Sequence, residues 1–254
     1  VHNTPQLFIL NTITKDGTIT ADININFDNQ GKIKDNFKIK GFVKNTRLDL
    51  FNKSSVKDLN FSFNVTKEKY LLDGINATFN EIKLSSPSIQ IEEKDNLYVI
   101  DGIILSKDQN LEGKDLELIF GDLFDNADIR KVKLSSTNNF SFTLDKKLKF
   151  KDLIIETVIN LDQLTFTEKS LNLELFLLNA KEEIKLENHK IKINYSKDQL
   201  TIDGRGDIFL TDKIEKLSYN IIKDNNQFLF NTKLNIENNP LIIEFLDYEK
   251  KKRS

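Results

Sequence analysis

Apolar and polar side chains alternate along most of this chain. Ile23, Ile25 and Phe27 are each separated by one polar residue, and Phe37 and Ile39 repeat the spacing ahead of Gly41. The same period of two runs through Phe61-Ser62-Phe63-Asn64-Val65, Ile89-Gln90-Ile91, Leu97-Tyr98-Val99, Leu116-Glu117-Leu118-Ile119-Phe120 and Phe140-Ser141-Phe142-Thr143-Leu144. It returns in Leu171-Asn172-Leu173-Glu174-Leu175, Ile191-Lys192-Ile193-Asn194-Tyr195, Leu200-Thr201-Ile202, Phe228-Leu229-Phe230 and Leu234-Asn235-Ile236. Successive side chains of a strand point to opposite faces, so this period predicts strands with one apolar and one polar face.

The breaks between segments have turn chemistry: Lys15-Asp16-Gly17, Asp28-Asn29-Gln30-Gly31, Glu93-Lys94-Asp95-Asn96, Ser136-Thr137-Asn138-Asn139, Ser196-Lys197-Asp198 and Lys223-Asp224-Asn225-Asn226. Their spacing predicts roughly 15 strands joined by short hairpins. Parallel crossovers need helices, and no convincing helical run separates the strands. The expected fold is therefore all-β, a long, twisted, mostly antiparallel sheet with at most one or two short helices. Glu112–Asp128, with Gly113 and Gly121, reads as helical or irregular. Asn239-Pro240 could cap a short helix over Leu241–Asp247. No linker rich in Pro, Gly or Ser divides the chain, so residues 1–254 read as one continuous segment.

A loose repeat runs through the strands: Phe37-Lys38-Ile39-Lys40-Gly41, Tyr98-Val99-Ile100-Asp101-Gly102 and Leu200-Thr201-Ile202-Asp203-Gly204, with Leu71-Leu72-Asp73-Gly74 as a shorter case. Glycine inside a strand pattern marks a bulge or bend, and recurring bends would curve the sheet. Ordinary turns would leave the same pattern, so both readings stay open.

Composition narrows the function. Of 254 residues, 39% are hydrophobic and 30% are charged. A two-sided core is hard to fill from that stock, whereas many strands with one apolar face use it well. The 37 basic and 39 acidic residues leave no basic excess for a nucleic-acid backbone. Absence of Cys excludes disulfides, thiolate metal sites and a Cys nucleophile. The longest apolar stretches, around Leu173–Leu178 and Leu241–Leu246, fall far short of the ~20 residues of a membrane helix. The start at Val1 and the charged run Lys250-Lys251-Lys252-Arg253 are expected to be cuts in a longer chain.

Catalytic signals are sparse. The two histidines, His2 and His189, make no metal-ligand pair, and His189 is expected in a turn among Glu187, Asn188 and Lys190. No nucleophile elbow, phosphate-binding loop or dinucleotide fingerprint is present, and Gly204-Arg205-Gly206 reads as a bulge or turn. Acidic neighbours such as Asp122 with Asp125, or Glu182 with Glu183, read as solvated surface charges. The expectation is a protein that is not an enzyme and holds no cofactor or metal.

The alternating segments, the apolar-x-Gly pattern and the segment Asn239-Pro240-Leu241-Ile242-Ile243-Glu244-Phe245-Leu246-Asp247-Tyr248-Glu249-Lys250 resemble the AsmA-like group of bacterial envelope proteins, and within it the large YhdP/TamB-type members. The resemblance is one of style and covers most of the chain. It implies a curved β-groove, a taco-like sheet with an apolar concave face. It also implies a periplasmic location, an inner-membrane anchor that this segment lacks, and passage of phospholipid between the inner and outer membranes. The partners implied are phospholipid acyl chains and the two membranes, with no nucleic acid. The expected groove lining is Phe37, Ile39, Phe61, Phe63, Val65, Ile89, Ile91, Leu97, Val99, Leu116, Leu118, Phe140, Phe142, Leu144, Leu171, Leu173, Leu175, Ile191, Ile193, Leu200, Ile202, Phe228 and Phe230. Two alternatives remain: a closed β-sandwich or solenoid that acts as a scaffold or adhesin, and a glycan-active enzyme whose acid pair stands roughly 5–9.5 Å apart.

Overall fold

The structure is a computed structural model and describes residues 12–50, 54–120, 128–147, 149–167, 173–177, 179–197, 199–224, 227–243 and 247–250. The alternating segments form strands β1 (Thr14–Asn24), β2 (Lys38–Asp49), β3 (Ser55–Val65), β4 (Lys69–Phe79), β5 (Ile82–Lys94) and β6 (Leu97–Leu111). After helix α1 (Gly113–Phe120) come β7 (Asp128–Asp145) and β8 (Phe150–Thr167), then a 3-10 helix (Leu173–Leu175). Strands β9 (Glu183–Ser196), β10 (Gln199–Phe209), β11 (Ile214–Asp224) and β12 (Gln227–Asn235) follow, and β13 (Leu241–Ile243) pairs with β14 (Tyr248–Lys250). Strands β1 to β12 make one sheet in which spatial order equals chain order, and the sheet is not closed. The protein is all-β and antiparallel, as its periodicity predicts.

The chain divides into two compact units, residues 1–106 with 137–156, and residues 107–136 with 157–254. In the first, two hairpins turn on residues that tolerate positive φ: Asn80-Glu81 (43°, 70°) and Asp95-Asn96 (51°, 63°). A seam of bulges crosses the same unit. The pairing register slips around Gly17 in β1, Asn45 in β2, Asp58 in β3, Gly74 in β4 and Pro87 in β5. These slips lie side by side. The Asn45 amide donates to Asn60 Oδ1 at 3.1 Å, Asn60 faces Asn76, and Asn76 faces Ser85. Short polar side chains close each bulge on the local backbone: Asn60 Nδ2 donates to the Asp58 carbonyl, and Asn76 Nδ2 to the Gly74 carbonyl. A bulge bends its strand and raises the local twist, so the seam concentrates bending along one line.

In the second unit the core is small. Leu177, Ile184, Ile208 and Leu210 are buried together, with Leu173, Leu186, Leu217, Ile236 and Leu241 packed around them. The core sits on one end of the apolar face of β9–β11. Two short stretches cover it there, 173–177 with 179–181 and 236–243, held by the Lys181 amide donating to the Leu210 carbonyl and the Ile242 amide to the Phe176 carbonyl.

Three local expectations are corrected. The alternating stretch Leu116–Phe120 is helical, within α1, which agrees with the helical side of the reading of Glu112–Asp128; residues 121–127 lie outside the described residues. Glu112 and Asp115 start this helix: the Glu112 amide donates to Asp115 Oδ2 at 2.8 Å, half of a reciprocal capping box. The expected strand at Leu171–Leu175 is instead a 3-10 turn over Leu173–Leu175, because that winding brings Leu173 and Leu177 together onto the core. Leu171 lies outside the described residues. In place of the expected helix over Leu241–Asp247, Leu241–Ile243 is a strand paired antiparallel with Tyr248–Lys250, Leu241 opposite Lys250 and Ile243 opposite Tyr248; residues 244–246 lie outside the described residues. Its β-branched Ile242-Ile243 pair suits a strand better than a helix.

Candidate functional site

The registers decide which apolar side chains share a face, because directly opposed residues lie on the same side of a sheet. In the first unit one row runs Ile23, Ile39, Val65, Tyr70, Ile91 and Ile100 from β1 to β6. The next runs Phe63, Leu72 and Ile89, with Gly41 and Gly102 in the same line. Phe61 follows opposite Val43. Phe140 lies over Gly102, stacks on Phe142 at 6.0 Å, and Phe142 stacks on Phe150 at 4.4 Å. Leu144 has the parity of Phe140 and Phe142 on β7, and Phe37 the parity of Ile39 just before β2.

The second unit repeats this arrangement. Ile193, Ile202, Ile221 and Phe230 form one row, and Leu200 with Phe228 extends it one step. Ile191, Gly204 and Tyr219 lie on the core side. Phe228 and Phe230 are 56% and 64% exposed, and Phe150 in the first unit is 54% exposed. The apolar face is thus covered at its core end and open at Phe228 and Phe230.

Not every expected lining residue joins these rows. Leu97 and Val99 stand opposite Lys94 and Glu92, on the other face of β6, and Tyr98 and Ile100 hold the positions expected for them. Leu116 is buried on α1. Leu118 is also on α1, its side chain outside the described set. Leu173 packs on the core and Leu175 is exposed beside it. Leu72, Tyr70, Ile221, Tyr219 and Phe150 were not anticipated. Tyr98-Val99-Ile100 and Ile221-Ile222 are unbroken apolar runs, so the sequence leaves their parity open and only the partner strand sets it.

Glycines in the repeat have a use that differs from the expected bend. Gly74 does sit in a bulge, with φ +63°. Gly41 and Gly204 sit mid-strand in regular pairing, and Gly102 is the last regular pair before the β5 slip. A Cβ at Gly204 would meet the Tyr219 ring at 2.1 Å, one at Gly41 the Phe63 ring at 2.6 Å, and one at Gly102 the Phe140 ring at 3.0 Å. Each is a seat for a neighbouring aromatic ring, which spreads over bare backbone.

Two polar groups are buried under the apolar face. His189 is not in a turn: it lies within β9, 2% exposed, at a bulge opened by Asn188 (φ +54°). Its ring fills the space over Gly206 and stacks on Tyr219 at 6.1 Å. Nε2 lies 3.0 Å from the Asp207 carbonyl. A carbonyl only accepts, so Nε2 carries the hydrogen, while Nδ1 is buried with no partner among the described residues. Burial lowers the imidazole pKa, and the Asp207 carbonyl and carboxylate only partly oppose it. Glu215, 2% exposed, accepts from the amides of Glu237, Asn238 and Asn239 and from Asn239 Nδ2, all at 2.7–2.9 Å. It fastens the covering segment to the sheet. Both groups are locked in structural contacts and neither faces an open cleft. Among the described residues no cluster of three or more His, Asp or Glu could hold a metal ion.

The opposite face of β9–β12 is mostly polar in its middle, with Phe209, Ile214, Ile222 and Leu229 toward its ends. Two adjoining open depressions of about 890 and 440 Å³ lie on it, and both are lined by Lys190, Arg205, Ser218 and Lys233. No protein-family model matches this chain, and comparison with curated proteins and with solved structures found no match.

Proposed function

We propose that the apolar face of this sheet shelters the acyl chains of phospholipid while headgroups stay in water, without catalysis. Such a face would serve passage of lipid through the periplasm between inner and outer membranes, in the manner of the AsmA-like proteins the sequence resembles. The observation that carries the reading is the exposure of the aligned aromatic side chains. Phe228 and Phe230 project from the face that buries Ile208 and Leu217, yet are more than half exposed. Covering a ring of this size with hydrocarbon yields ~1.5–3 kcal/mol. A closed sandwich would bury those rings instead. A sheet free of closure with β12 at its edge fits the open alternative better.

The test is site-specific photocrosslinking of the purified chain incubated with phospholipid. Crosslinkers replacing Ile193, Ile202 and Phe230 should capture lipid. Those replacing Asn194, Thr201 and Asn231, one step along the same strands, should not. Equal capture at both sets would overturn the reading.

A further inference from the structure

The polar face of β9–β12 carries an unbalanced row of cations. Lys190 on β9 stands opposite Arg205 on β10, Arg205 opposite Ser218 on β11, and Ser218 opposite Lys233 on β12. Like charges directly opposed across two strands destabilise a sheet unless something lies between them. The protein has carboxylates at hand and directs them elsewhere. Asp203, two residues before Arg205 on β10, accepts from Asn220 Nδ2 at 2.8 Å. Asp207, two residues past Arg205, is held by Lys216 and by Asn188 Nδ2, and its pKa is lowered chiefly by the Lys216 hydrogen bond. Among the described residues the side chains of Lys190, Arg205 and Lys233 make no ion pair or hydrogen bond. The row also lies where the two depressions of this face meet.

We propose that this row is a binding site for a phosphate group, on the face opposite the apolar rows. Arg205 offers the planar fork that matches phosphate oxygens, Lys190 and Lys233 add point charges on either side, and the Ser218 hydroxyl donates from between. Adjacent strands are ~4.8 Å apart, which places Lys190 and Arg205 close enough to share one phosphate. Lys192 adds charge at the rim, opposite Asp203. The site is distinct from the acyl-chain reading, since its three cations and the Ser218 hydroxyl lie on the face opposite the apolar rows, while Tyr219 and Phe230 border the larger depression.

Two probes separate the sources of such a phosphate at physiological salt: pyrophosphate in solution, and vesicles of phosphatidylglycerol compared with phosphatidylcholine. The full chain should bind pyrophosphate, phosphatidylglycerol vesicles, or both. Pyrophosphate binding identifies recognition of free phosphate, and binding to phosphatidylglycerol alone identifies headgroups held at a surface. Arg205→Gln should weaken binding about tenfold, the loss of one charged hydrogen-bonding group. Lys233→Gln, on the exposed edge strand, should weaken it too and serves where Arg205→Gln fails to fold. Lys57→Gln makes the same charge change at a cation already paired with Glu81, and should leave binding unchanged. Binding of neither probe, equal losses in the Lys57 and Arg205 variants, or equal binding to phosphatidylcholine would overturn the proposal.

Discussion

At the scale of single residues, His189 and Glu215 show how much polar chemistry lies beneath an apolar face. His189 is held neutral by burial, with Asp207 and Tyr219 as its polar and aromatic neighbours. Its folded pKa lies below the ordinary value of about 6.5, so in acid the unfolded chain takes up the proton first. The stability tied to a neutral ring is present above pH 6.5. It is lost as the pH falls through 6.5 toward the folded pKa, and the loss is complete below that. The stability difference between the native protein and His189→Phe, measured by urea denaturation, should therefore shrink from pH 7 to pH 5. A difference independent of pH would mean that the ring does not titrate with unfolding. Glu215 makes a different demand, since four N–H donors converge on its carboxylate. Glu215→Leu should cost about 3 kcal/mol of unfolding free energy, mostly from donors left without an acceptor. A loss near zero would show that water reaches them. Neither role was legible in the sequence. His189 stands among charged residues that resemble a turn, and only the Asn188 bulge turns the ring inward.

At the scale of elements, alternation identified most strands, because a half-buried sheet writes its period directly into side-chain polarity, but named no segment within β4, β8 or β11. It failed where two physical demands produce the same pattern. Leu173 and Leu177 are four apart, a helical spacing hidden in the alternation of Leu171, Leu173 and Leu175, and the core uses the former. In β6 four apolar residues in a row, Leu97 to Ile100, leave the face undecided, and the pairing puts Leu97 and Val99 on the side opposite the expected one. The glycine repeat was visible as a pattern, but its meaning depends on rings supplied by neighbouring strands, which no local reading reaches. That meaning is testable. Gly204→Ala should cost about 2 kcal/mol, because the new methyl occupies the space of the Tyr219 ring. The double variant Gly204→Ala, Tyr219→Ala should lose less than the sum of the single losses, since both act on one contact. Strict additivity in thermal or chemical denaturation would show that the two do not share a seat.

At the scale of the whole molecule, the consequence of spatial order following chain order is energetic. Each strand of the sheet pairs only with its neighbours in sequence. Stability in such an arrangement is close to a sum of local strand terms and nearest-neighbour interfaces, as in repeat proteins, rather than one global core. Among the described residues the buried apolar cluster is small, and the edge strands β1 and β12 are exposed along nearly their full length. Each edge strand gains one pairing partner where an inner strand gains two. Opening should therefore start at the edges and step inward. Hydrogen exchange followed by mass spectrometry should show β1 and β12 amides exchanging first, β3–β5 later, and β9–β11 last, where Glu215 and the core hold the covering segments. Denaturation monitored by different probes should give transitions that do not coincide. The alternative is equal protection across all strands with a single coincident transition. That outcome would require long-range coupling that a sheet paired only between sequence neighbours does not supply.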